Sequence, residues 1–138
     1  MDLLERIKGK TPEKVLYHEW VSDEYSSLDW IQLIFQDKTG ICFSLGNSEE
    51  TLEVLDGFNP KSEQMRLNEM FDAGKVTIRS TDCSDTRKWK NYTGEKITGY
   101  VIEYTAEGKQ KSVTLFSGSK KIQICAGQDN LEVKVLAK

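Results

Sequence analysis

The side chains of this chain that could take part in catalysis include one histidine and three cysteines, and Cys83 is the most suggestive of them. It lies between Asp82 and Asp85. A reactive cysteine needs positive charge or a helix N-terminus to stabilise its thiolate, whereas two neighbouring carboxylates raise the pKa of the thiol. The only histidine, His18, could pair with Cys83 only through a single long-range contact. We therefore predict a thiol at the end of a loop or strand, and we assign no catalytic residue.

The spacing of these residues also argues against a metal or a cofactor. Cys42, Cys83 and Cys125 are far apart and form no Cys-x-x-Cys motif, so neither a disulfide framework nor a zinc site is indicated. Cys42 and Cys125 lie in apolar runs and are predicted to be small buried residues. A lone histidine such as His18 is typical of a hydrogen-bonded structural residue. No glycine-rich phosphate loop is present. We predict no metal and no cofactor.

A basic stretch with two aromatic residues, Arg-Lys-Trp-Lys-Asn-Tyr (87–92), has the composition of a nucleic-acid patch. The chain carries a net charge of −3, which argues against nucleic acid as the partner. Alternation predicts that Trp89 is a core anchor within a polar connection, residues 80–96. The cations of the stretch could still meet an acidic partner surface, and the predicted binding residues here are Arg87, Lys88 and Lys90.

The negative charge is concentrated in the first half of the chain. Residues 1–60 carry a net charge of −7, and residues 61–138 carry +4. The acidic segment 47–56 contains three glutamates that could cover a basic surface of another protein, because charge complementarity speeds encounter. It could equally be a solvated turn and edge strand whose charges discourage aggregation. The predicted binding residues in this segment are Glu49, Glu50 and Glu53.

Two helices are predicted. Leu3, Leu4 and Ile7 share a helical face, which predicts a short N-terminal helix. Residues 62–74 predict a mid-chain helix that Ser62 caps and Gly74 ends. Its predicted apolar face is formed by Leu67, Met70 and Phe71.

The remaining pattern predicts β-strands. Residues 14–21 favour a strand, although Pro12 could instead begin a helix there. Apolar runs at 30–36 and 41–45 predict a hairpin in which Gly40 supplies the positive φ of the bend. Further strands are predicted at 50–57, 75–81, 97–105, 111–116, 120–126 and 131–137.

The two β-rich parts resemble each other. In residues 28–57 and again in 98–127, a strand, a glycine turn and a second strand lead to a short alternating strand. These are either two related β-meanders or a chance similarity between amphipathic hairpins. We predict one domain, residues 1–138, of the α+β class. Its sheet is mainly antiparallel, and it is either curled or closed into a small barrel.

A family resemblance is found in two segments, residues 33–54 and 89–97. Their sequences are Leu-Ile-Phe-Gln-Asp-Lys-Thr-Gly-Ile-Cys-Phe-Ser-Leu-Gly-Asn-Ser-Glu-Glu-Thr-Leu-Glu-Val and Trp-Lys-Asn-Tyr-Thr-Gly-Glu-Lys-Ile. With them the chain resembles small uncharacterised bacterial β-rich domains that are grouped with the immunity proteins of toxin systems. The resemblance covers most of residues 28–135. It implies a non-catalytic binding protein and transfers no defined site residue.

The expected function is therefore binding of another protein, with an immunity-type toxin inhibitor as one form. The N-terminus has no secretion signal and no run long enough to span a membrane, so we expect a cytoplasmic protein without a membrane partner. A homo-oligomer joined through an edge strand is a further possibility. The alternative is a small-ligand-binding barrel or an enzyme. It predicts a pocket lined by Trp20, Trp30, Tyr100 or Tyr104.

Overall fold

The computed structural model describes residues 3–46, 51–72, 74–118 and 120–136. The first five strands belong to one antiparallel sheet. They are β1 (Pro12–Val21), β2 (Ser26–Phe35), β3 (Gly40–Leu45), β4 (Leu52–Leu55) and β5 (Thr77–Asp82). Their order across the sheet is β4-β3-β2-β1-β5, so β4 and β5 are its edges.

The other strands form a second antiparallel sheet, with sequence neighbours paired throughout. They are β6 (Gly99–Tyr104), β7 (Gln110–Ser117), β8 (Lys120–Ala126) and β9 (Leu131–Leu136). The helix α1 (Leu3–Arg6) precedes β1, and the helix α2 (Pro60–Met70) connects β4 to β5. The α+β prediction, with antiparallel sheets, a short N-terminal helix and a mid-chain helix, is confirmed.

Side chains from both sheets fill one shared core. Because side chains alternate along a strand, every second residue of β2 points inward, and Ile31, Leu33 and Phe35 are almost fully buried. Contacts between β2 and β9 and between β4 and β7 join the sheets. The second sheet contributes to the core Val113, Leu115, Ile122, Ile124, Leu131 and Val133. The strands are thus divided between two packed sheets, and the space between these sheets is occupied by side chains.

The predicted meanders lie in different sheets. Residues 28–57 contain β2, β3 and β4, and residues 98–127 contain β6, β7 and β8, each set paired in sequence order. The strands of the two meanders differ in length, since β2 has 10 residues and β6 has 6. The two segments therefore agree in the order of their strands but differ in strand length.

Part of the outer face of the first sheet is packed against Phe58 and α2. Phe58 places its ring 4.5 Å from His18 and 4.6 Å from Trp30, measured between centroids. Gln64 of α2 bonds the edge of β5, because its amide accepts from the Ile78 N–H at 2.8 Å and donates to the Val76 carbonyl at 2.8 Å. The ring contacts of Phe58 and the side-chain amide of Gln64 therefore help to hold this part of the chain against the sheet.

The predicted start of this helix and its predicted end at Gly74 were wrong, and of its predicted apolar face only Leu67 is buried. Asn59 is the N-cap, its side chain accepts from two backbone N–H groups, and Pro60 opens the first turn. Leu67 is buried, but Met70 is 61% exposed and Phe71 is 41% exposed. The helix ends at Met70, because Phe71 adopts an extended backbone. Only a narrow stripe of α2 therefore faces the sheet.

The predicted hairpin is confirmed, but the role given to Gly40 was wrong. The residue with positive φ in the bend is Lys38, at φ 72°. Asp37 accepts from the Thr39 N–H at 3.0 Å, an Asx-type contact that supports this tight turn. Gly40 is needed for space, since a Cβ there would lie 3.0 Å from the carbonyl oxygen of Leu33.

Candidate functional site

The connection predicted at residues 80–96 is a structural element, and its first three residues belong to β5. Trp89 is 1% exposed, and its indole Nε1 donates to the hydroxyl of Tyr17 at 2.7 Å. Cys83 is also buried, and burial, followed by the nearby charge of Asp82, raises the pKa of its thiol. The predicted core role of Trp89 is confirmed. A buried thiol held in its neutral form is poorly suited to nucleophilic attack.

Two of the three predicted cations in this connection, Arg87 and Lys90, are simply exposed. Lys88 has a structural contact, because its Nζ donates to the carbonyl of Val133 in β9 at 2.7 Å. Glu49 and Glu50 lie outside the described residues, so their role as binding residues stays a prediction.

His18 is held as a neutral structural histidine. It is 1% exposed and lies under Phe58. Its Nδ1 is 2.7 Å from the hydroxyl of Ser80, and its Nε2 is 2.9 Å from Oε1 of Gln32. Since Oε1 accepts, Nε2 carries the proton and Ser80 donates to Nδ1. Burial lowers the pKa of His18, only partly opposed by the bond to Gln32.

An acidic cleft of about 510 Å³ opens on the outer side of the first sheet. It lies where the ends of β1, β2, β3 and β4 meet the turn between β8 and β9 and one residue of α2. Its lining includes three aromatic residues, Trp20, Tyr25 and Trp30, and three acidic residues, Asp29, Glu53 and Asp129.

The aromatic walls are braced by neighbouring rings. Trp20 contacts Tyr25 edge-on at 5.8 Å and Phe71 edge-on at 6.2 Å, measured between ring centroids. Trp30 stacks on Phe58 with an interplanar angle of 29°. Because such contacts restrict the rotamers of the rings, the cleft is largely pre-formed.

The carboxylates of the cleft lack cationic partners within the described ranges. The one cation in the lining, Arg66, donates to Glu63 and to the sulfur of Met70. None of the ion pairs among the described residues involves Asp29, Glu53 or Asp129. Among the described lining residues, the three carboxylates outnumber the one cation, so the cleft has a net negative charge.

The environment of Asp29 perturbs the pKa of its carboxyl group. It is partly buried in β2, and it accepts from the hydroxyl of Ser27 at 2.6 Å. Burial raises the pKa of Asp29, the bond from Ser27 lowers it, and the nearby charge of Glu63 raises it further. A cation beside Asp29 would relieve this cost of desolvation.

These groups favour binding of an organic cation. Carboxylates attract and hydrogen-bond a cationic group, and aromatic faces attract it through their quadrupoles. Over the residues that the structure describes, no three histidine, cysteine, aspartate or glutamate side chains converge as metal ligands would.

The sequence named three of the residues that line this cleft, Trp20 and Trp30 for the pocket of the alternative barrel and Glu53 for protein binding. The structure brings all three to the cleft. Tyr100 and Tyr104 lie elsewhere: Tyr100 donates to Glu5, and Tyr104 is 58% exposed.

The residues that sequence reasoning missed are Tyr25, Asp29 and Asp129. Asp29 carried a usable signal, because an aspartate within a run of strand-forming residues is disfavoured unless it has a role. Asp129 belongs to a turn of the second sheet, and only the packing of the sheets brings it to the cleft.

A second cavity, of about 480 Å³, lies where β9 crosses the first sheet. It includes Tyr17, Lys88 and Glu132. The polar groups of Tyr17 and Lys88 are already bonded to Trp89 and Val133. The acidic cleft is therefore the better candidate for a binding site.

No protein-family model, curated protein or solved structure matches the chain. The resemblance to immunity-associated domains thus stays an expectation. Among the residues that the structure describes, no helix has the length and apolar character needed to cross a membrane.

Proposed function

We propose that the chain is a non-catalytic protein-binding domain whose acidic cleft receives a cationic side chain of its partner. The observation that carries this proposal is the combination of three aromatic walls with three carboxylates that have no cationic partner among the described residues. A binding surface that leaves charges unpaired in the free protein is suited to a partner of opposite charge.

The environment of the potential catalytic groups supports binding over catalysis. His18 has both ring nitrogens bonded and a lowered pKa. Burial raises the pKa of Cys42 to about 12, so its thiol stays protonated at neutral pH. A general base or a nucleophile needs a pKa close to the working pH and access to a substrate.

Exposed apolar side chains next to the cleft favour a protein as the ligand. Phe71 contacts Trp20 and is 41% exposed, and its neighbour Met70 is 61% exposed. Tyr25, on the other side of Trp20, is 46% exposed. Aromatic residues and methionine are enriched in protein interfaces.

An immunity-type inhibitor is the concrete form of this function. A cytoplasmic protein of this kind would cover a basic surface of a toxin, and the cleft would hold one cation of that surface. Glu53, at the cleft, is the described member of the acidic segment in which the sequence predicts such a contact.

The test is affinity capture at low salt from a lysate of the source cells, with three versions of the purified chain as baits and mass spectrometry to identify the captured protein. The first bait is the wild type, the second is the double variant Asp29→Asn/Glu53→Gln, and the third is a matched control, Asp85→Asn/Glu107→Gln, at exposed positions outside the cleft lining. We expect one stoichiometric protein with the wild type and the control, and its loss with the cleft variant and at high salt. Equal recovery by all three baits would refute the cleft as the binding site.

The alternative function is binding of a free cationic small molecule in the same cleft. The cleft volume of about 510 Å³ lies in the range of small-molecule sites, and this is the observation in its favour. A thermal-shift screen of organic amines and guanidines against the wild type and Asp29→Asn separates the two functions. A large stabilisation by a free compound, without any captured protein, would favour the alternative.

A further inference from the structure

The side chains of the cleft offer more hydrogen-bond acceptors than the described residues use. Asp29, Glu53 and Asp129 supply carboxylate oxygens, and only one bond to them is made among the described side chains, from Ser27 to Asp29. The lining also includes the hydroxyl of Ser44. The cleft therefore offers many acceptors, and a cation with several N–H groups can use more of them than a cation with few.

The shape of the cationic group matters as much as its donors. A guanidinium is planar, carries five N–H donors and stacks on aromatic faces, whereas an ammonium carries three donors on a compact, strongly hydrated centre. A trimethylammonium group carries none. In the cleft, indole walls and carboxylates occur together, and Trp30 is held in place by its stack on Phe58.

We infer that the side chain received by the cleft is an arginine, which rests on the proposed function and specifies its ligand. The guanidinium lies against an indole face of Trp20 or Trp30 and donates to Asp29 and Glu53. Arg66, the arginine in the cleft lining, does not compete, because its guanidinium donates to Glu63 and to the sulfur of Met70.

The test uses three matched tripeptides, acetyl-Gly-Xaa-Gly-amide, in which Xaa is arginine, lysine or trimethyl-lysine. Each peptide is titrated into the ¹⁵N-labelled chain, and the chemical shifts of the indole N–H signals are followed by NMR. Trp89 serves as an internal control, since its indole is buried and bonded to Tyr17. We expect the signals of Trp20 and Trp30 to shift and that of Trp89 to stay. One additional charge-assisted hydrogen bond should make the arginine peptide bind about fivefold or more tightly than the lysine peptide.

A second variant series checks where the selectivity arises. Asp29→Asn should weaken the binding of the arginine peptide and bring its affinity close to that of the lysine peptide. Asp85→Asn should leave the affinities for both peptides unchanged. Binding of lysine or trimethyl-lysine as tight as that of arginine would overturn the inference and leave the proposed function standing. Failure of all three peptides to shift Trp20 or Trp30 would also overturn the inference, and the capture experiment with the cleft variant would then decide the proposed function by itself.

Discussion

The hydroxyl of Tyr92 provides a test of the packing that holds the polar connection against the sheets. Tyr92 is 5% exposed, and its hydroxyl has no hydrogen-bond partner among the described residues. A buried polar group without a partner costs about 1–3 kcal/mol of desolvation. Tyr92→Phe removes this group and keeps the ring that contacts Trp89 edge-on at 6.3 Å. We therefore expect the variant to be more stable than the wild type.

The same substitution at Tyr17 should have the opposite sign. The hydroxyl of Tyr17 accepts the indole N–H of Trp89, and Tyr17→Phe would leave that buried donor unpaired. We expect Tyr92→Phe to raise the free energy of unfolding by about 1 kcal/mol and Tyr17→Phe to lower it by about 1–3 kcal/mol. For a chain of this size, 1 kcal/mol corresponds to roughly 3–4 °C in Tm.

Urea denaturation monitored by fluorescence measures the change in the free energy of unfolding for both variants. If the dependence of this free energy on urea concentration keeps the same slope, the unfolded states are comparable. Destabilisation by Tyr92→Phe would refute the reasoning, because it would mean that the hydroxyl has a partner and contributes to the fold. A stable Tyr17→Phe variant would show that the bond to Trp89 contributes little.

Three further predictions follow from buried and bonded groups. The pKa of His18 is lower in the folded chain than in the unfolded chain, so the unfolded chain binds an additional proton as the pH decreases. The stabilising contribution of neutral His18 should therefore be complete above about pH 6.5 and be lost as the pH falls below it. His18→Gln should make the melting temperature less dependent on pH. Gln64→Ala should lower the free energy of unfolding by about 1–2 kcal/mol and speed hydrogen exchange at the Ile78 N–H, whereas Gln64→Glu, which keeps the acceptor, should preserve protection there. Cys42 should react with iodoacetamide more slowly than the partly exposed Cys125 at pH 8, and equal rates measured by mass spectrometry would contradict the burial of Cys42.

Local patterns in the sequence were sufficient for most of the fold. The hairpin of β2 and β3 was predictable, because apolar alternation and a short polar bend are signals carried by neighbouring residues. The exact backbone of the bend was not predictable from composition. Glycine at position 40 suggested a positive φ, but the close approach of the Leu33 carbonyl, which explains that glycine, becomes visible only when the strands are paired.

The cleft was predictable only in part, for a different reason. Trp20, Trp30 and Glu53 were identified by residue type, whereas their meeting with Asp129 depends on how the second sheet packs on the first. Contacts between residues so distant in sequence depend on tertiary packing, which no local pattern encodes. The start of α2 was mistaken because both Asn59 and Ser62 are good caps, and Pro60 decides between them.

The contacts made by Lys88 and Gln64 have a consequence for the behaviour of the chain at high concentration. Each bonds a backbone group at an edge of a sheet, Lys88 at β9 and Gln64 at β5. Unpaired strand edges are templates on which other chains aggregate, so these two side chains protect the molecule from edge-to-edge association. Loss of Lys88 in a mutational scan could therefore appear as lost partner binding when the real effect is the formation of soluble aggregates.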